Sequence, residues 1–232
     1  MKKELISEMQ SLSTPEKVKL VRRHFKLWLG TYSEGDIFLG LTNADEKLVM
    51  KKYKTELSMS DLEDLLNSPI HEHRRVALSI LRERFERTNK EELRKEIYDL
   101  AMKNKHWINN WDLVDIFSPH VFWEYLKDKD KSILYELAKS DSIWDRRIAV
   151  ISTLMYPGYW NYKDSFNIPE ILLNDKENLI HKASWRVLRE LGKNNIDELY
   201  RFLDKYSKIM PRTMLRYSLE KLTPEKRKFY MG

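Results

Sequence analysis

The sequence predicts an all-α protein built as a solenoid of repeated helix pairs. Helix-start signals recur along its 232 residues, and glycine and proline are scarce, at six and seven residues. No segment sustains the period-two alternation of apolar and polar residues that a half-buried strand requires. Helices joined by short turns, without a sheet, are therefore expected throughout.

The helix ends carry recognisable signals. Threonine followed by proline, at residues 14–15 and 223–224, marks two starts, because proline is pre-organised for the first helical position. Two further starts fit the capping-box pattern, at residues 60–63 and 88–91. Gly192 is expected to end the helix that contains ENLIHKASWRVLREL.

Two loops are expected to interrupt the helices. Residues 30–43 hold three of the six glycines, and a second loop is expected over residues 156–167, around Pro157 and Gly158. Neither loop separates segments of different composition. The sequence therefore predicts a single domain over residues 1–232.

Four helical segments repeat at a nearly constant spacing. HRRVALSIL, NNWDLVDIF, DRRIAVIST and IHKASWRVL align on Ala77, Leu113, Ala149 and Ala183, which are 36, 36 and 34 residues apart. Met214 in PRTMLRYSL follows 31 residues later. A period of this length holds two helices and short turns, which is typical of HEAT-type repeats that stack into a curved solenoid with a concave face.

Equivalent positions of stacked repeats fall in a row, and one such row is rich in cations. Two residues before the aligned positions stand Arg75, Trp111, Arg147, His181 and Arg212. Together with a net charge of +6, this row favours a polyanionic partner, nucleic acid first, along the concave face. A solvated face without a partner is the alternative.

Composition excludes several classes of site. The chain has no cysteine, so it has no disulfide, no Cys-based zinc site and no thiol nucleophile. His71 and His73 lack a third ligand at matching spacing, so no metal site is expected. The charged start MKKELISEMQ and the lack of a run of roughly 20 apolar residues predict a cytoplasmic protein without a membrane segment.

Six segments together resemble the AlkD-type DNA alkylation repair glycosylases. They are EGDIFLG, IHEHRRVALSIL, INNWDLVDIF, IWDRRIAVIST, LIHKASWRVLRELGK and MPRTMLRYSLEKL, in family order over roughly residues 20–230. The resemblance implies hydrolytic removal, in base excision repair, of cationic purines alkylated at N3 or N7 from duplex DNA, without a metal or organic cofactor. It also implies that the lesion need not be drawn into a pocket, which departs from the usual base-flipping behaviour of glycosylases.

The resemblance also implies roles for particular residues. Trp111 falls on the aromatic ring that lies against the lesion nucleotide, Asp115 on the catalytic carboxylate, and Arg147 on an arginine beside the site. Where the family has glycine and then tryptophan, this chain has Trp185 and Arg186. Either the helix is shifted to present Trp185 to the lesion, or Arg186 faces it.

Trp111 and Asp115 are four residues apart and therefore share one helix face. A cationic purine is already a good leaving group, so an enzyme needs chiefly a negative charge facing the oxocarbenium-like sugar and a positioned water. Asp115 can supply both, and the ring face of Trp111 attracts a cation. In the alternative interpretation, Trp111 is a core residue and Asp115, like its neighbour Asp112, is an acid favoured by the helix dipole.

Five basic side chains are candidate contacts to the DNA backbone: His71, Arg75, His181, Lys182 and Arg212. Double-stranded DNA containing alkylated purines is the expected partner, and the protein is expected to act as a monomer. Two alternatives stay open: a non-catalytic DNA-binding member of the same family, and a helical-repeat scaffold for a protein partner.

Overall fold

The fold is an all-α helical repeat, as predicted. The structure is a computed structural model that describes residues 1–28, 30–154 and 162–232. Within these residues there is no β-strand, and one isolated bridge joins Ile37 to Ile70. The chain forms two compact units, Met1–Phe117 and Ser118–Gly232. The single domain over residues 1–232 stays a prediction, and each unit is described here by itself.

The helices alternate with short turns in both units. Those of the first unit are α1 (Lys2–Ser11), α2 (Pro15–His24), α3 (Asn43–Tyr53), α4 (Met59–Leu66), α5 (His71–Arg87), α6 (Glu91–Lys103) and α7 (Trp111–Phe117), with a 3-10 turn at Lys105–Trp107. Those of the second unit are α8 (Glu124–Leu126), α9 (Ser132–Leu137), α10 (Ile143–Ser152), α11 (Lys163–Ile171), α12 (Asn178–Asn194), α13 (Ile196–Tyr206), α14 (Arg212–Ser218) and α15 (Pro224–Met231), preceded by a π-helical turn at Pro119–Trp123.

Each unit is organised around one long helix. In the first unit α5 packs against α3, α4, α6 and α7, and its apolar side chains, such as Leu78 and Leu81, are fully buried. In the second unit α12 packs against α10, α11, α13 and α14, with Leu188 and Leu191 in the core. Burial of these apolar stripes is the main force that fixes the helices and the residues they carry.

The repeat register is confirmed by burial. Ala77, Leu113, Ala149, Ala183 and Met214 lie in α5, α7, α10, α12 and α14, and each is at most 1% exposed. Within the first unit α5 packs on α7, and within the second α12 packs on both α10 and α14. The positions that align in the sequence are therefore the ones that stacked helices turn towards their cores.

Two of the predicted helix starts are confirmed. The Thr14 hydroxyl accepts a hydrogen bond from the amide of Lys17 at 3.3 Å, and the Thr223 hydroxyl accepts one from the amide of Lys226 at 3.4 Å. In both cases proline occupies the first turn, where its missing N–H costs nothing.

The other predicted helix ends are wrong. The capping box at α4 uses Ser58 and Asp61, two residues before the expected pair. The Asp61 carboxylate accepts from the amide of Ser58 at 3.0 Å, and the Ser58 hydroxyl accepts from the amide of Asp61 at 3.1 Å. The Thr88 hydroxyl closes a local turn on the amide of Lys90, and α6 begins one residue later, at Glu91.

Gly192 lies inside α12, which continues to Asn194. A Cβ at this position would come 2.4 Å from Leu199 Cδ2, so Gly192 permits close packing of α13 and does not end the helix.

The two predicted loops have different outcomes. Residues 30–42 form a loop, and α3 begins at Asn43. Of the second loop, residues 156–161 lie outside the described residues, whereas Lys163–Ile171 is helical, so the loop prediction is wrong for residues 163–167. Burial of Ser165 and Ile168 in the second unit explains this helix. No helix among the described residues is long and apolar enough to cross a membrane.

Candidate functional site

Helix α7 presents Trp111 and Asp115 to one open groove of the first unit. Asn110 fixes the start of the helix, since its Oδ1 accepts the amide hydrogen of Trp111 at 2.8 Å. Both Trp111 and Asp115 are half-buried. The groove has a volume of about 470 Å³ and is also lined by α2 and by residues 40–43 of the glycine-containing loop. The predicted pair therefore shares a helix face and a solvent-accessible groove.

Aromatic rings from α2 and its C-terminal end hold Trp111 in place. Phe25 stacks on Trp111 with ring centroids 5.5 Å apart and an interplanar angle of 21°, and the ring of His24 approaches it edge-on at 5.8 Å. Phe25 also packs on Phe38, which stacks on His71 at 4.3 Å. Such contacts restrict the Trp111 ring before any ligand arrives.

Asp112 also lines the groove, but it is buried and belongs to a polar network with α5. Its Oδ2 lies 2.8 Å from His71 Nε2 and 3.5 Å from Arg75 Nε, and its Oδ1 accepts the amide hydrogen of Leu113 at 2.9 Å. His71 is only 1% exposed. Its ring is enclosed by Phe25 and Phe38 and bonded to Asp112, and the predicted contact of His71 with the DNA backbone stays a prediction.

Arg75 lines the groove but is held by side chains of the protein. Its guanidinium donates to Glu46 Oε1 at 3.0 Å and to Asn43 Oδ1 at 2.5 Å, and 21% of the side chain is exposed. Arg75, Trp111 and Asp115 are thus brought together at one groove. The role of Arg75 towards DNA stays a prediction.

The glycine-containing loop is tied to α5 through Glu72. This carboxylate is buried and accepts the amide hydrogens of Leu39, Gly40 and Leu41 at 2.9, 2.7 and 3.2 Å. Gly40 has a φ of 80°, and a Cβ there would lie 2.5 Å from the amide nitrogen of Val18. Only glycine allows the loop to pass this close to α2, which forms the opposite wall of the groove.

A second buried contact connects the same loop to α7. Asp36 Oδ1 accepts from Arg74 at 2.8 Å, and Asp36 Oδ2 accepts from the amide group of Asn110 at 3.1 Å. Asn110 also donates to the buried Ser33 hydroxyl at 2.9 Å. The loop and α5 therefore position the residue that starts α7, one residue before Trp111.

The remaining predicted site residues lie in the second unit. Arg147 is 5% exposed and donates to the carbonyl oxygen of Leu179 at 2.9 Å. His181 Nε2 lies 2.6 Å from the carbonyl oxygen of Asp175. Lys182 and Arg212 are exposed, and Arg212 donates to the carbonyl oxygen of Met231 at 3.0 Å.

Trp185 is part of the packing between α12 and α14. Its ring stacks on Tyr217 with centroids 5.0 Å apart, and the Arg189 guanidinium lies 4.6 Å from its centroid on α12. The indole is half-buried against the core of the second unit. Arg186, the next residue, is also half-buried. This packing gives Trp185 a structural role in its own unit.

A family model described as DNA alkylation repair enzyme matches residues 5–222. The chain belongs to the DNA alkylation repair enzyme family. Membership supports a role in alkylation repair and the status of an enzyme that acts on DNA. None of the curated proteins matches the chain.

A solved structure has the same fold as this chain. It is described as a predicted DNA alkylation repair enzyme from Enterococcus faecalis, and it superimposes with a TM-score of 0.72 at 17% sequence identity. The match covers 91% of this chain and 97% of that chain. At this identity the likeness concerns the fold.

Several residues in or next to the groove were not predicted from the sequence. Phe25 and His24 come from a helix end, and Glu46 and Glu72 had no visible partner in the sequence. The first four residues of the charged run HEHRR are buried, although side chains of these types mostly lie at the surface. The available signal for Glu72 was its place in the first turn of α5, where an acidic side chain is favoured. Among the described residues, no group of three or more His, Asp or Glu side chains is placed to hold a metal ion.

Glu46 is the buried carboxyl that accepts a hydrogen bond from Arg75 beside the groove. Burial raises the pKa of Glu46 to about 8; the charge of Arg75 lowers this pKa, and those of Glu72 and Asp112 raise it. A carboxyl whose pKa is higher in the folded state stabilises the fold below its unfolded pKa. That contribution is lost as the pH rises towards about 8.

Replacing Glu46 by glutamine is therefore expected to remove a pH-dependent loss of stability. Between pH 5 and pH 9 (about the window set by the two pKa values), the melting temperature of the wild type should fall relative to that of Glu46→Gln. Thermal melts across this range measure the difference. Glu56→Gln, at an exposed position of the same unit, is the matched control, and a wild-type curve parallel to that of Glu46→Gln would contradict the expectation.

Proposed function

We propose that this protein is a DNA glycosylase that hydrolyses the N-glycosidic bond of cationic N3- and N7-alkylated purines in duplex DNA. The observation that carries the proposal is the placement of Asp115 and Trp111 on one face of α7, in an open groove. An open groove suits a substrate too large to enclose, such as a duplex. The family membership supplies the damaged-DNA context.

The proposed reaction needs one carboxylate and one water. As the bond from C1′ to the purine nitrogen breaks, the electron pair leaves with the base, which departs neutral because it was cationic. Water attacks C1′, and its proton passes to Asp115. A carboxylate about 4 Å from the developing cation contributes roughly 4 kcal/mol at an effective dielectric constant near 20. That is on the order of a thousandfold in rate.

Trp111 is proposed to hold the lesion nucleotide beside Asp115. Its ring is already oriented by Phe25 and His24, so little side-chain entropy is lost on binding. The electron-rich ring face also favours a cationic nucleotide over a neutral one. Arg147 is proposed as a site arginine on the family resemblance, and Lys182, His181 and Arg212 as backbone contacts.

The test is incubation of the wild-type protein with a duplex that contains one N7-methylguanine. Release of free N7-methylguanine, with an abasic site in the strand, is expected at a rate above that of the duplex alone. Binding of the duplex without release would favour the second candidate, a non-catalytic DNA-binding member of the family. The departure at Trp185 and Arg186 is the observation that supports that candidate.

Arg186 gives a separate prediction about rate. Because Trp185 is engaged with Tyr217 and Arg189, we propose that Arg186 is the residue turned towards the lesion. A guanidinium about 5 Å from a cationic transition state opposes it by roughly 3 kcal/mol before screening, at an effective dielectric constant near 20. Arg186→Gln and Arg186→Trp are both expected to release N7-methylguanine several-fold faster in single-turnover assays.

Trp185→Ala serves as the companion variant. Loss of its stacking is expected to lower the melting temperature while a folded fraction retains base release. Unchanged rates in both Arg186 variants, together with a severe loss of rate in Trp185→Ala below its melting temperature, would show that Trp185 faces the lesion.

A further inference from the structure

Helix α2 separates two grooves of the first unit. One side of the helix, with Leu20, Val21 and His24, lines the groove that contains Asp115. The other side lines a second groove of about 740 Å³, together with Leu27 and Trp28 at the end of the helix. The second groove is not used in the proposed reaction, yet it lies one helix away from it.

The second groove is strongly basic. Lys19, Arg22 and Arg23 line it, and their spacing of three and four residues places them on one side of α2. All three are exposed, and no carboxylate of the described residues forms an ion pair with them. Trp28, 53% exposed, adds a flat apolar ring.

The other arginines of this unit behave differently. Each donates to a carboxylate or a carbonyl oxygen within the unit: Arg74, Arg75, Arg82, Arg84, Arg87 and Arg94. Within the described part of the first unit, the arginines that lack such a partner are thus Arg22 and Arg23, which stand together on α2.

Helix α2 is also weakly held by the protein. It has ten residues, none of which is buried. Isolated helices of this length are marginal in water, and most helix stability comes from tertiary packing. A partner that covers the exposed basic side would therefore stabilise the helix as well as neutralise its charge.

We propose that the second groove binds the phosphodiester backbone of the duplex that flanks the lesion. Helix α2 then contacts the DNA backbone with one side and borders the lesion with the other. The inference rests on the proposed function in one respect, that duplex DNA is the substrate. An α-helix is about 10 Å across, and one strand rises about 3.4 Å per base. The contacted phosphates are therefore on the order of three base steps from the lesion.

The test measures binding of an undamaged duplex as a function of salt, so that no chemistry is involved. In Arg22→Gln/Arg23→Gln, the slope of log affinity against log salt is expected to flatten by about two units, with at least a tenfold loss of affinity near 0.1 M salt. Arg22→Lys/Arg23→Lys should keep most of the slope. The control is Lys47→Gln/Lys51→Gln, which removes the same charge from exposed positions on α3 that line neither groove.

An unchanged slope in the Arg22→Gln/Arg23→Gln variant, or equal flattening in the α3 control, would overturn the assignment. So would a wild type that does not bind duplex. Because an exposed basic helix with Leu20 and Trp28 also resembles a membrane-surface helix, binding to phosphatidylserine vesicles is measured in parallel. Vesicle binding lost in the variant while duplex binding is kept would overturn the inference in favour of a lipid surface. Base release by the wild type reports on the proposed function independently of all these results.

Discussion

Replacing Arg74 by methionine is expected to lower the free energy of unfolding by about 3–5 kcal/mol. The Arg74 side chain is 1% exposed, and that of its partner Asp36 is 8% exposed. The substitution leaves the Asp36 carboxylate buried without its charge partner, and the carbonyl oxygen of Ser68 loses a donor as well. Urea denaturation at pH 7 measures the change.

The matched control lies on the same helix. Arg87 pairs with Glu83 one turn away, but its side chain is 73% exposed. Arg87→Met is expected to change stability by no more than about 0.5 kcal/mol, since exposed ion pairs contribute little. If Arg74→Met costs no more than Arg87→Met, the buried pair does not hold the loop to α5 as described.

Loss of the contact between Arg74 and Asp36 is expected to affect α7 as well. Asp36 is bonded to both Arg74 and Asn110, and Asn110 starts the helix that carries Trp111. Release of Asp36 would therefore loosen the start of α7 as well as the glycine-containing loop.

The helical repeat was predictable because it depends on local periodicity. Ala77, Leu113, Ala149 and Ala183 recur at a spacing that any stacked pair of helices must keep, and all are buried. Capping boxes were less predictable. Both Ser58 with Asp61 and Ser60 with Glu63 place an acid three residues after a serine, so the sequence alone does not choose between the two starts.

The candidate site was partly predictable for the same reason. Trp111 and Asp115 lie on a single short helix, so their spacing alone places them together. The surroundings of the site were not predictable, because Phe25, Glu46 and Glu72 come from other elements and meet α7 only through tertiary packing. The burial of His71 was not predictable either, since a histidine in a charged run gives no sign that a distant aspartate will pair with it.

Asp115→Asn is expected to slow base release at least 100-fold, which corresponds to about 3 kcal/mol of transition-state stabilisation. Asparagine keeps the shape of the side chain but removes its negative charge and its capacity to accept the proton of water. Because that charge acts mainly as the sugar becomes cationic, affinity for the duplex should change by only a few fold.

The control for the change in net charge is Asp99→Asn. Asp99 is an exposed residue of α6 that pairs with Lys95 one turn away, and it does not line the groove of Asp115. Its neutralisation should leave the rate of base release at the wild-type value.

The decisive measurement is therefore a single-turnover assay with protein in excess over a duplex that carries one N7-methylguanine. Free base is quantified over time for the wild type, Asp115→Asn and Asp99→Asn, and the spontaneous loss from the duplex alone is subtracted. The expected result is release by the wild type and Asp99→Asn at equal rates, with release by Asp115→Asn at least about 100-fold slower at similar duplex affinity. Release by Asp115→Asn at the wild-type rate would contradict the assignment of Asp115 as the catalytic carboxylate.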